Sequence, residues 1–192
     1  MNMKPRLMGR LMTCDATIPF RMPGGIPGAV NRSHPANIEP VNQDSVAPAT
    51  FYGQAVVADA TSPNGVRVPK TGDTAAEIYG VTVRPYPFQP ATATNYGALA
   101  FGATVAPPTT GQIDVLKSGY ITVTRQGATA AAKGLPVLVT TVAGTGYVVG
   151  GFSADSVAGT QVTLAPVNQF YFNGPSDSST AGAGNVEVAF NV

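Results

Sequence analysis

The chain carries one histidine, His34, one cysteine, Cys14, and no tryptophan. A Cys–His nucleophile needs the two side chains held in hydrogen-bond geometry by a third group. Both residues fall in a proline-rich leader, with Pro35 directly after His34. Such a segment is a poor scaffold for fixed geometry, and a simple polar contact is the expectation for this imidazole. The acidic residues, Asp15, Glu39, Asp44, Asp59, Asp73, Glu77, Asp114, Asp155, Asp177 and Glu187, are scattered over turns and outward strand positions. Asp59 with Asp73 or Glu77 is a grouping that a loop can bring together, and paired carboxylates can hydrolyse glycosidic bonds. Solvated surface carboxylates account for the same pattern. One His and one Cys cannot make a zinc site, and no Asp/Asn run has calcium-loop spacing. Gly127 to Lys133-Gly134 lacks the glycine before the lysine and the hydroxyl after it that a phosphate loop needs. Gly144-Thr145-Gly146 through Gly150 is off the dinucleotide spacing. No catalytic residue, cofactor or metal ligand is therefore expected.

Composition narrows the classes further. In 192 residues, charged side chains make up 11%, against about 25% in an average soluble domain. The net charge of +1 argues against a nucleic-acid partner. No run approaches the roughly 18 apolar residues of a spanning helix, so no membrane partner is expected and the chain reads as made in a cytoplasm. The 22 glycines and 17 prolines point to turns and extended segments rather than helices.

Proline and charge are unevenly placed. Residues 1–48 contain Pro5, Pro19, Pro23, Pro27, Pro35, Pro40 and Pro48. Each fixes φ and removes a donor, so the segment reads as an extended N-terminal arm ahead of a body spanning 49–192. Lys4, Arg6, Arg10, Arg21 and Arg32 face Asp15 alone within residues 1–34, whereas the rest of the chain is mildly acidic. Spaced apolar residues, Ile18, Phe20, Met22, Ile26, Val30 and Ile38, suit an arm that orders against another subunit; a strap across its own barrel is the alternative. Thirty extended residues reach about 100 Å.

From residue 49 the apolar period is two. Runs at 54–60, 78–84, 97–103, 112–118, 120–126, 136–142, 147–152, 161–167 and 185–192 are rich in Val, Ile, Thr, Tyr and Phe. Pro63-Asn64-Gly65, Ser118-Gly119, Gly144-Thr145-Gly146 and Asn173-Gly174-Pro175 supply turns. Thr129–Lys133 is the one stretch able to make a helical turn. The fold expected is all-β, an antiparallel sandwich or small barrel, jelly-roll-like.

The segments Pro23-Gly24-Gly25-Ile26-Pro27-Gly28-Ala29-Val30 and Arg32-Ser33-His34-Pro35-Ala36-Asn37-Ile38 open an ordered series. Phe51 to Val57, Asn64 to Pro69, Tyr79 to Val83, Gly111 to Ile121, Lys133 to Val139 and a final strand at 184–192 continue it. Over residues 20–192 this series resembles the structural cement, or capsid decoration, proteins of tailed bacteriophages. The resemblance implies a non-enzymatic shell protein on the capsid exterior that clamps neighbouring major capsid protein subunits against internal DNA pressure. It implies a homodimer or homotrimer, with a capsid-binding arm of Phe20, Arg21, Pro23, Gly24, Ile26, Pro27, Gly28, Val30, Arg32, Pro35 and Ile38. A receptor- or glycan-binding module of a phage tail or adhesin is the other class, with Tyr86, Phe88, Tyr96 and Phe170-Tyr171-Phe172 as its aromatic candidates.

Overall fold

The computed structural model describes residues 25–85, 106–177 and 184–192, and its regular structure is almost entirely β. The first five strands are β1 (Asn37–Gln43), β2 (Ala55–Asp59), β3 (Gly65–Arg67), β4 (Ile78–Thr82) and the long β5 (Gly111–Gln126). They run in the order β1-β3-β2-β4-β5, and β5 returns to pair with β1, closing a small barrel. Closure leaves few edges to aggregate. The expected antiparallel pairing holds at most junctions, but β1 pairs β3 in parallel.

Residues 37–43 were assigned to the arm on proline content, yet they form a barrel strand, so the sheet runs through the expected arm. Pro40 is tolerated for a specific reason. The Asn42 and Asp44 N–H groups donate toward β3, to Asn64 O at 2.9 Å and Val66 O at 2.8 Å. By alternation the Pro40 nitrogen faces that same side, where β3 pairs only Asn42 and Gln43. The missing donor therefore removes no ladder bond to β5.

β5 is the spine. Its first half pairs β1 and β4, and Gly119–Thr124 pairs β10 (Asn185–Phe190). Its last residues, Arg125 and Gln126, pair β7 (Phe152–Ser153) in parallel. Three further strands, β6 (Leu138–Thr140), β8 (Gln161–Thr163) and β9 (Tyr171–Phe172), complete the flanking sheets. Ser118-Gly119 is not the turn its composition suggested. The strand passes through it, with Gly119 at φ 139°. A Cβ there would sit 2.8 Å from the Pro35 carbonyl oxygen, so glycine is needed for close passage of the leader, not for reversal. Asn64-Gly65 does reverse the chain between β2 and β3, with Asn64 at φ 54°. The helical turn lies at Ala75–Glu77, not Thr129–Lys133; Thr74 and Glu77 form a reciprocal capping box there.

Two apolar clusters result. One draws on four barrel strands through Val41, Val56, Val66, Ile113 and Val115, joined by Ala49. The larger joins Val81 and Leu116 to Ile121, Val123, Phe152, Phe172, Val186, Val188 and Phe190 across the flanking sheets. Within the period-two runs 120–126 and 185–192, the alternating Ile121, Val123, Val186 and Val188 are each fully buried. Arg125, which the sequence did not single out, is also fully buried, its Nη1 donating to the Gly127 and Thr129 carbonyls, each at 2.8 Å. It ties the end of β5 to the following loop.

Candidate functional site

The leader's described part begins at Gly25 and lies along the second half of β5. Gly28 N donates to Thr122 O (2.8 Å), Thr122 N to Ala29 O (3.0 Å) and Asn31 N to Tyr120 O (3.0 Å), while Arg84 N donates to Gly28 O (2.8 Å). Val30 pairs antiparallel with Ile121. Gly28 has φ 83°, and a Cβ on it would stand 2.6 Å from Tyr52 Cβ and 3.1 Å from the backbone nitrogens of Gly53 and Arg84. Only glycine permits this approach. The leader also covers Thr122, on the opposite face of β5 from Ile121 and Val123; it is buried, and its hydroxyl donates to Asn31 Oδ1 at 3.0 Å.

From the end of this docked segment into the start of β1 the chain forms a strap that passes close over Gly119 at Pro35, and Asn31–Ile38 is exposed to solvent throughout. The Arg32 side chain pins it beyond Asn31. The Arg32 guanidinium lies 3.9 Å from the Tyr120 ring centroid, and its Nε donates to Glu187 Oε1 at 3.0 Å. Glu187 also accepts from Asn173 Nδ2 at 3.3 Å. A hydrogen bond donated to Tyr120, together with burial, pushes the Tyr171 hydroxyl pKa up beside the same cluster.

The expected arm residues thus divide. Arg32, Pro35 and Ile38 are exposed on this strap, Ile26 is exposed on the docked segment ahead of it, Pro27 and Val30 are half-buried, and Gly28 is buried in the chain's own packing. Phe20, Arg21, Pro23 and Gly24 lie outside the described residues, as do Cys14 and the aromatic candidates Tyr86, Phe88 and Tyr96. Of the other aromatic candidates, Phe172 is fully buried and Phe170 packs edge-to-face on Phe190 at 5.1 Å. They serve the core.

The suspected carboxylate grouping is dispersed in role. Asp59 accepts from the Thr61 N–H at 2.9 Å and its hydroxyl at 2.8 Å, and these bonds hold its pKa down. Asp73 accepts from Arg67 Nη1 (2.7 Å) and Nη2 (2.9 Å) and from Lys70 N (2.7 Å), which lowers its pKa. Glu77 accepts from Thr74 N at 2.6 Å. Asp59 and Glu77 line a cleft of about 490 Å³ with Arg67, Lys70, Tyr79 and Lys117. At its rim Tyr79 donates to Glu39 Oε2 at 2.6 Å, and Lys117 Nζ stands 3.3 Å from Glu39 Oε1. These contacts span β4, β1 and β5 and clasp the barrel. His34 is exposed, its Nδ1 against the Ser33 carbonyl oxygen. Among the described residues no group of three or more metal-ligating side chains occurs, and no helix is long and apolar enough to cross a membrane.

The comparisons identify a bacteriophage capsid-associated structural protein. The chain belongs to the XM1 gp53 minor capsid protein family, whose profile matches residues 16–190. Among solved structures, a chain from the capsid of Myoviridae phage XM1 superposes with a TM-score of 0.60 at 18% identity, covering 94% of this chain and 98% of that one. At that identity the likeness is one of fold. A search of curated protein sequences returns no significant match.

Proposed function

We propose that this protein is a cement protein: it sits on the outside of the capsid and clamps neighbouring major capsid protein subunits, without enzymatic chemistry. Membership of a minor capsid protein family carries this reading. The strap Asn31–Ile38 supports it, because eight consecutive exposed residues stand on a rigid base of paired strands. Arg32, Pro35 and Ile38 are the proposed contacts here, with Ile26 ahead of the strap and Phe20, Arg21, Pro23 and Gly24 extending them along the shell. Gly28 and Val30 act differently, fixing the base from which the strap projects. Homodimers or homotrimers on the lattice would multiply weak contacts into avidity.

The test is binding of purified protein to capsids lacking it, read by co-sedimentation. Removing residues 1–24 leaves every described hydrogen bond in place, whereas a cut through residue 40 would dismantle β1. The truncated protein should stay folded and bind much more weakly. Undiminished capsid binding by the truncated chain would overturn the clamp.

A further inference from the structure

The sequence holds two Asn-Gly steps, Asn64-Gly65 and Asn173-Gly174. An Asn followed by Gly is the dipeptide most open to attack by the following backbone nitrogen on the side-chain amide, because glycine offers no steric shield. The two sites differ in how that nitrogen is held. Gly65 is buried, its N–H donates to Ser62 O at 2.9 Å, and Ser62 Cβ crowds it, within 2.5 Å of where a Cβ would stand. Among the described residues Gly174 has nothing within 4 Å of its Cβ position and its N–H has no acceptor. The Asn173 side chain is held, among the described residues, only by a long bond of 3.3 Å from Nδ2 to Glu187 Oε2.

We propose that Asn173-Gly174 is a site of spontaneous deamidation in the folded protein and that Asn64-Gly65 is protected. The Gly174 nitrogen attacks Asn173 Cγ and a new C–N bond closes a succinimide. The Cγ–Nδ2 bond breaks, and the displaced amide leaves as ammonia, taking the proton from the Gly174 nitrogen. Water then opens the ring at either carbonyl, giving aspartate or isoaspartate. Either product replaces a donor to Glu187 with an acceptor-only carboxylate. The cluster under Arg32 then holds two carboxylates and one guanidinium, and the Asn173–Glu187 bond becomes a like-charge contact.

Incubate the intact protein in mildly alkaline buffer at body temperature, with and without urea, in water enriched in oxygen-18. Chymotryptic peptides are then read by mass spectrometry. In the folded protein the Asn173 peptide should take up one heavy oxygen several-fold faster than the Asn64 peptide. In urea the two rates should converge. Gly174→Ala should slow the reaction at Asn173 alone while leaving the thermal midpoint unchanged. Equal rates in the folded protein, or labelling of Asn173 only once urea unfolds it, would overturn the proposal.

Discussion

Gly28→Ala is the perturbation that the leader's docking makes most informative. The substitution adds a Cβ 2.6 Å from Tyr52 Cβ at a residue with φ 83°. Placing an L-residue in the left-handed region costs roughly 1–2 kcal/mol, and forcing a methyl into filled space costs about 1–3 kcal/mol more. The chain has one escape, which is to lift residues 25–31 off β5. That forfeits four backbone hydrogen bonds, from Gly28, Thr122, Asn31 and Arg84, at about 1 kcal/mol each. Strain and escape are therefore comparable, and the net loss should fall near 2–4 kcal/mol, within the ~5–15 kcal/mol of an ordinary domain. Urea unfolding should show a lower midpoint, and native-state hydrogen exchange should quicken at the Thr122, Asn31 and Arg84 amides ahead of the rest. Gly72→Ala is the control: Gly72 has φ 94° but nothing within 4 Å, so it carries only the backbone strain. A Gly28→Ala protein no less stable than Gly72→Ala, with Thr122 exchange unchanged, would refute close approach as the leader's anchor.

Other residues give independent tests. Asp73→Asn removes a carboxylate that Arg67 holds charged at low pH. A depressed pKa adds stability above the unfolded value, about 3.9, that fades as pH falls through the folded value. The variant should therefore be less stable at neutral pH, by about 1.5–3 kcal/mol, and lose less on acidification below about pH 4; urea midpoints across pH 2–7 check both. Phe172→Ala empties a fully buried ring from the larger cluster and should cost about 3–5 kcal/mol, read from the same unfolding curves. Arg32→Ala removes an exposed ion pair and a cation–π contact, together worth about 1 kcal/mol. Global unfolding should barely move, while amide exchange across residues 31–36 should accelerate.

Much of the body was legible because its chemistry is local. Strands β2, β4, β6, β8 and β10 each lie within a run of period-two residues, and Asn64-Gly65 specifies a reversal by backbone preference alone. What escaped reading depends on long-range placement. Pro40 argues against a central strand until one knows which side of β1 its nitrogen faces. Gly119 looks like a turn until the Pro35 carbonyl is seen against it. Gly28 resembles any loop glycine, and nothing nearby in sequence reveals that Tyr52 and Arg84 close on it. Nothing near Thr122 in sequence reveals its burial, because the leader segment that covers it comes some ninety residues earlier. The strap at Arg32 was legible as part of an extended, proline-punctuated arm, but its pin on Tyr120 and Glu187 was not.

A density map of the intact virion tests the clamp most directly. The account predicts the barrel on the outer surface of the shell, the strap at Arg32 and Ile38 against one major capsid subunit, and density ahead of Gly25 running onto its neighbour. Finding the barrel on the inner surface, or the strap facing solvent with no capsid subunit beside it, would contradict it.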